Sequence, residues 1–144
     1  MPQFVPHRDP RGYYPFRQDV TLTIPSGQSI SNDYADLEDC WTVVGLYVPA
    51  GWTAANIGFY TVYPLVTGSD DPTVNVAGAV WQRINEPDSA DYLEFTVAAG
   101  EYTYIGPEKL AGCRYLKIWS VTDGTGVPQG DQPGPEVILV VRPV

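Results

Sequence analysis

Short segments of this chain alternate hydrophobic and polar residues, a pattern typical of β-strands with one buried face. In Asp19–Ile24 the apolar residues Val20, Leu22 and Ile24 occupy every second position, and Tyr92–Val97 repeats this spacing. Other runs rich in β-branched and aromatic residues predict additional strands. These strands are expected at Tyr34–Leu37, Cys40–Val48, Ile57–Val66, Val74–Ile84, Glu101–Ile105, Cys113–Val121 and Val137–Arg142.

Turn-forming residues separate these segments. The 144 residues include 14 Gly and 14 Pro, and clusters such as Pro25–Gly27 and Pro49–Gly51 follow predicted strands. One segment, Pro107–Leu110, has the proline expected at the start of a helical turn. Many short strands joined by such turns predict an all-β fold, and specifically an antiparallel β-sandwich of the jelly-roll type.

Two of the predicted strands are apolar on both faces, although a sandwich strand has only one inward face. These are Cys40–Val48 and Val137–Val141. The additional apolar side chains on these strands predict a second buried surface, either in a dimer or trimer of the chain or in a docking interface. Alternatively, outward aromatic rings form a platform for sugar stacking, and the candidates for either role are Trp41, Tyr47 and Trp52.

Residues 1–18 differ in composition from the rest of the chain. They contain four prolines, four aromatic residues, three arginines and one acid. Because proline fixes φ and removes a backbone donor, this segment is predicted to be an extended arm that precedes a domain at residues 19–144. Its aromatic and arginine side chains are the types that dominate protein interfaces. The predicted partner-binding residues are Phe4, Arg8, Arg11, Tyr13, Tyr14, Phe16 and Arg17.

The domain is acidic, with five Lys/Arg against sixteen Asp/Glu from residue 19 onward. This charge argues against nucleic acid as its partner. The chain also has no apolar run of the length needed for a membrane span or a secretory signal, so we expect no membrane association and folding in a reducing cytosol. In that compartment Cys40 and Cys113 are predicted to be buried, free thiols.

The residues that would carry catalysis are sparse. The single histidine, His7, lies in the arm between two prolines, where no shaped site is expected around it. The adjacent acids Glu38–Asp39 and Asp70–Asp71 suit turns better than a pair of carboxylates held across a glycosidase cleft. No Cys/His cluster has zinc spacing. The chain is therefore expected to be neither an enzyme nor a metal or cofactor protein.

Four segments together resemble small β-sandwich proteins encoded among the virion genes of tailed bacteriophages. They are TLTIPSGQS at Thr21–Ser29, VGLYVPAGWTAANI at Val44–Ile57, PEKLAGCRYLKI at Pro107–Ile118 and VVRPV at Val140–Val144. These motifs are structural rather than catalytic, and they lie outside the arm. Proteins of this set look like head decoration, fibre or tail accessory proteins.

The resemblance implies a non-enzymatic structural protein of the virion, made in the host cytoplasm and placed on the head surface. In that role it would be a capsid decoration or cement protein whose arm docks on the major capsid protein or another virion protein. The alternative is a carbohydrate-binding module of a phage head or tail fibre, with a host glycan as its ligand. Aromatic residues in a cleft beside Asn, Gln or Asp would favour sugar, and a flat strip that continues into the arm would favour protein.

Overall fold

The computed structural model describes residues 17–38, 40–62, 81–122 and 126–144. Over these ranges the chain forms nine β-strands and no helix, which confirms the predicted all-β fold. The strands are β1 Gln18–Thr23, β2 Ala35–Asp36, β3 Trp41–Tyr47, β4 Asn56–Val62, β5 Trp81–Arg83, β6 Glu94–Phe95, β7 Tyr102–Tyr104, β8 Tyr115–Val121 and β9 Glu136–Pro143.

The strands pair into two antiparallel sheets. Sheet A has the order β1-β9-β3-β7, and sheet B has the order β2-β8-β4-β5, with β6 also paired to β4. In sheet A, Val20 lies opposite Leu139, and in sheet B, Phe59 lies opposite Ile118. All four side chains are buried in one continuous hydrophobic cluster, so this arrangement is a β-sandwich with its core between the sheets.

The alternating segments behave as the sequence predicts. Val20, Leu22 and Ile24 are buried, while Asp19 and Thr21 are exposed. In the second alternating segment Leu93 is buried, and Phe95 and Val97 are partly buried against the same core. Period-two alternation therefore identifies the inward face of both segments.

A β-bulge in β3 accounts for part of the two-sided apolar pattern. The pairing of β3 with β9 shifts between Val43 and Gly45, so Val44 is an extra residue. Because of this shift Val43 and Leu46 both face the core, although simple alternation puts them on opposite faces. The bulge leaves Gly45 and Tyr47 on the outer face of sheet A. Strand β3 therefore directs fewer apolar side chains outward than simple alternation predicts.

Strands β5 and β6 form one interrupted edge of sheet B. Arg83 lies opposite Tyr60, and Glu94 lies opposite Gly58. The edge therefore advances eleven residues where β4 advances two. The nine extra residues, 85–93, loop out and return to the sheet, where Leu93 donates its N–H to the carbonyl of Ile84. We call residues 85–93 the excursion. It lies at the end of sheet B that holds Asn56.

Several boundaries and two local expectations differ from the sequence analysis. The segment at Pro107–Leu110 forms turns rather than a helical turn. Cys40 is exposed, because it lies in the turn that precedes β3 and its N–H donates to the carbonyl of Leu37. The predicted burial of Cys40 is therefore wrong, whereas Cys113 is partly buried, and neither cysteine forms a disulfide. The predicted strand residues 63–66 and 74–80 lie outside the described residues.

Gly58 on β4 is required by a close approach of Trp119. A Cβ at position 58 would overlap the indole nitrogen of Trp119, whose ring is almost fully buried and has no free space to enter. Replacing Gly58 with Ala should therefore lower the free energy of unfolding by about 1–3 kcal/mol. Denaturant unfolding measures this change.

The matched control is Gly130→Ala. A Cβ at Gly130 meets no atom within 4 Å, so this variant should stay within about 0.5 kcal/mol of the wild type. Equal stability of the two variants would show that Trp119 does not lie over Gly58.

Candidate functional site

The outer face of sheet A carries a strip of exposed tyrosines. Tyr47, Tyr102 and Tyr104 are 36%, 51% and 68% exposed. Tyr47 on β3 lies opposite Tyr102 on β7, and their neighbours Leu46 and Ile105 point into the core. The side chains of these tyrosines therefore have to point outward. We call the three tyrosines, together with Ile138 and Val140 of β9, the tyrosine face.

A groove crosses the tyrosine face beside the ring of Tyr102. A Cβ at Gly45 would overlap the phenol of Tyr102, so this ring lies over the glycine backbone. Beside it Val140 is only 4% exposed although it points away from the core. The groove has a volume of about 350 Å³ and is lined by Arg17, Asp19, Tyr47, Tyr102, Ile138 and Val140.

The groove adjoins the start of the described chain. Arg17 is exposed, and its Nε lies 3.6 Å from a carboxylate oxygen of Asp19. Of the seven predicted arm residues, Arg17 is the one that the structure describes, and it lines the groove. The other six lie outside the described residues: Phe4, Arg8, Arg11, Tyr13, Tyr14 and Phe16.

The three aromatic residues proposed from sequence as a platform do not lie together on the surface. Trp41 and Trp52 are 3% and 5% exposed and belong to the hydrophobic core. The Trp52 Nε1–H donates to the carbonyl of Ala55 at 3.2 Å. Tyr47 is exposed on the tyrosine face. Sequence reasoning did not single out its neighbours Tyr102 and Tyr104, which the alternation in Glu101–Ile105 could have identified.

The outer face of sheet B is also aromatic, and cations pack on its rings, although Tyr92 stays 36% exposed. The guanidinium carbon of Arg83 lies 4.3 Å from the centre of the Trp119 ring and 5.0 Å from that of Tyr92. Arg83 Nε donates to the hydroxyl of Tyr60 at 2.9 Å, and this bond raises the pKa of the guanidinium. Trp119 is almost fully buried as a result.

A second cation covers the other end of the same face. Tyr34, Val62 and Tyr115 form a small buried cluster against Trp81, and the ammonium of Lys117 lies 4.7 Å from the centre of the Trp81 ring. Burial lowers the pKa of Lys117. The aromatic residues of sheet B thus find cation–π and ring partners within the domain. In this respect sheet B differs from the tyrosine face of sheet A.

A polar cleft lies between the excursion and the end of β4. It has a volume of about 520 Å³, and its lining combines one aromatic ring with one amide and three carboxylates. Asn56 is buried there, and its Nδ2 donates to a carboxylate oxygen of Glu94 at 3.4 Å. The lining residues are Asn56, Glu86, Ala90, Asp91, Tyr92, Glu94 and Gly126.

Three further findings bear on the chemistry of these surfaces. Within the described residues, no group of three or more His, Cys, Asp or Glu side chains is arranged to hold a metal ion. Within the same ranges, no helix is long and apolar enough to cross a membrane. No protein-family model, curated protein or solved structure matches the chain.

The packing of Arg83 on the rings of sheet B should contribute to stability. The variant Arg83→Met keeps an unbranched side chain but loses the hydrogen bond to Tyr60 and the cation–π contact with Trp119. We expect the free energy of unfolding to fall by about 1–2 kcal/mol. Arg142→Met is the control, because Arg142 is exposed on sheet A and its Nε bonds only weakly to the carbonyl of Pro143, at 3.4 Å.

Denaturant unfolding of both variants, followed by intrinsic tryptophan fluorescence, measures this contribution. If Arg83→Met lowers the free energy of unfolding no more than Arg142→Met does, the packing of the aromatic residues of sheet B does not depend on Arg83.

Proposed function

We propose that this chain is a non-enzymatic structural protein of a bacteriophage virion. In this role it is a capsid decoration protein that docks on the major capsid protein through its arm and its tyrosine face. The observation that supports this role most directly is the continuity between the two. Exposed aromatic side chains on sheet A extend through the groove to Arg17, the residue at which the arm joins the domain.

The chemistry of the tyrosine face suits a protein partner. Tyrosine combines a large apolar ring with a polar hydroxyl, and tyrosine and arginine are enriched at interface hot spots. Tyr104 is 68% exposed on the edge strand β7, so a partner can cover it without rearranging the sandwich. On sheet B, Arg83 packs on Trp119 and Lys117 packs on Trp81, and Tyr92 is exposed at 36%. This asymmetry favours sheet A as the docking side.

The virion setting rests on the resemblance of four segments to phage proteins, and the topology is compatible with it. Sheet A takes β1, β3, β7 and β9, while sheet B takes the strands between them. If β5 and β6 are counted as one interrupted edge strand, the sheets have the strand orders of an eight-stranded jelly roll. We therefore propose jelly-roll connectivity. In the same setting the chain would act on the head surface as a dimer or trimer, with residues 1–18 as the arm.

A second candidate function is favoured by the polar cleft at the excursion. Tyr92 lies there beside Asn56 and three carboxylates, the combination of ring and hydrogen-bonding groups that suits sugar hydroxyls. In this alternative the chain is a carbohydrate-binding module of a phage head or tail fibre. Its ligand would be a host glycan.

Deletion of the arm should leave the fold intact and weaken attachment to phage heads. A chain that begins at Asp19 keeps both sheets, so its thermal midpoint should stay close to that of the full chain. Its affinity for phage heads that lack the protein should fall at least about a hundredfold, because buried aromatic contacts and charge-assisted arginine bonds are lost. Cosedimentation with heads over a range of protein concentrations measures this affinity.

A point variant distinguishes the tyrosine face from the arm. Tyr104→Ser should weaken head binding in the full chain, whereas Val127→Ser, an exposed apolar position in the loop after β8, should not. If the arm-less chain binds heads as tightly as the full chain, the arm does not tether the protein to the head. Binding to a glycan array that Tyr92→Ser abolishes, without head binding, would instead establish the carbohydrate-binding alternative.

A further inference from the structure

We infer that the edge strand β7 pairs with β7 of a second copy of this chain, so that sheet A continues across a two-fold axis at Thr103. In sheet A, β7 is the last strand, and among the described strands it pairs with β3 alone. Its residues Tyr102 and Tyr104 are 51% and 68% exposed, so this edge is open to solvent. The inference selects the dimer from the two assemblies proposed above, but it concerns the free protein and does not depend on a virion.

The pairing of β7 with β3 leaves four backbone groups of β7 directed away from the sheet. The Ile105 N–H donates to the carbonyl of Val44 at 2.9 Å, so Ile105 bonds towards β3. Because alternate residues of an antiparallel strand bond to the same neighbour, Thr103 bonds towards β3 as well. Tyr102 and Tyr104 therefore direct their N–H and C=O groups outward. No described residue forms a hydrogen bond to these four groups.

A two-fold axis at Thr103 provides a partner for all four groups. In this register Tyr102 lies opposite Tyr104 of the second copy, and each of the two resulting pairs exchanges two N–H···O bonds. The dimer thus gains four backbone hydrogen bonds. Thr103 lies opposite Thr103 of the second copy at the position without hydrogen bonds, where side chains approach closely and threonine pairs are favourable.

The neighbouring registers form fewer bonds. An axis at Tyr102 would place Tyr104 opposite Gly100 of the second copy, whose N–H already donates to the carbonyl of Val48 at 3.0 Å. An axis at Tyr104 would place Tyr102 opposite Gly106, where the chain has left the strand at a φ of 84°. Each of these registers keeps only the pair on the axis. The hydrogen bonds therefore favour the axis at Thr103.

The side chains favour the same register, and with it a second copy as the occupant. Residues directly opposite each other lie on the same side of a sheet, so the tyrosines form two cross-strand aromatic pairs. The ring of Tyr102 lies over Gly45 on β3, and Tyr104 of the second copy would lie against its other side. The exposed Glu101 lies opposite Ile105 of the second copy. The two Glu101 carboxylates are therefore about four strand residues, or roughly 14 Å, apart, which exceeds the screening length at physiological salt.

The dimer should be weak and should not weaken with salt. A three-residue edge buries less than the roughly 1,200 Å² of specific, stable complexes, so we expect a dissociation constant in the micromolar range or above. Each copy has a formal net charge of −9, and no ion pair crosses the axis in this register. Added salt screens the repulsion between the copies and should leave the dimer as strong or make it stronger. Pairing at the edge also keeps the outward side of the rings accessible, so two tyrosine faces become continuous.

Sedimentation equilibrium of the full chain from micromolar to millimolar concentration tests the pairing. The wild type should form dimers. Tyr104→Ser removes the ring but keeps the outward N–H, whereas Tyr104→Pro removes both and, by symmetry, two of the four bonds. Tyr104→Pro should therefore dimerise at least about tenfold more weakly than Tyr104→Ser. Proline is tolerated on an edge strand where the N–H faces solvent, so the two variants should have similar thermal midpoints.

A cysteine on the axis tests the register without a proline. In a chain that carries Cys40→Ser, the variant Thr103→Cys should form a disulfide between two copies under mild oxidation, because the two Cα atoms lie about 4.5 Å apart. Tyr102→Cys in the same background is the control, since its two Cα atoms lie about 8 Å apart, beyond the reach of a disulfide.

Three results would each overturn the inference. They are a wild type that stays monomeric at millimolar concentration, equal dimerisation of the two Tyr104 variants, and cross-linking at position 102 that equals or exceeds that at position 103. A monomer would leave an extended segment of another protein as the occupant of the edge. None of these results decides whether the arm binds phage heads, so a failure of this inference is distinguishable from a failure of the proposed function.

Discussion

Each strand of a β-sandwich displays side chains to two sides, and only one side can face the core. In this chain the constraint is severe, because 18 of 144 residues are Phe, Trp or Tyr. The core between the sheets takes Trp41, Trp52 and Phe59. The aromatic residues that the structure describes on the outward sides of the strands must be covered there or stay in contact with water. The two sheets meet this requirement differently.

Sheet B packs cations on two of its outer rings. Arg83 packs on Trp119, which is almost fully buried, and Lys117 packs on Trp81, which is partly buried. Gly58 makes this possible, because only a residue without a Cβ lets the Trp119 indole lie against β4. Sheet A has the equivalent glycine, Gly45, but the ring over it belongs to Tyr102, which stays half exposed. The outer face of sheet A therefore keeps exposed tyrosine rings.

The strands with clean alternation could be predicted from sequence, because burial on one face imposes period two on them. The bulge in β3 could not be read from alternation, since it changes which residues face inward partway along the strand. Gly45 within an apolar strand was the available signal, because glycine in a strand often marks a bulge or a close approach. The contacts of Arg83 with Trp119 and of Lys117 with Trp81 join different strands, so no local pattern in the sequence indicates them. The interrupted edge of sheet B depends on long-range pairing with β4, which has no local signature.

Hydroxyl-radical footprinting of the free full-length protein tests the contrast between the two outer faces most directly. Oxidation of each aromatic side chain would be followed by mass spectrometry over a dose series. Tyr104 should be oxidised readily and Trp119 should be protected, although indole is the more reactive ring. Oxidation of Trp119 at the rate of Tyr104 or faster would show instead that Trp119 is open to solvent.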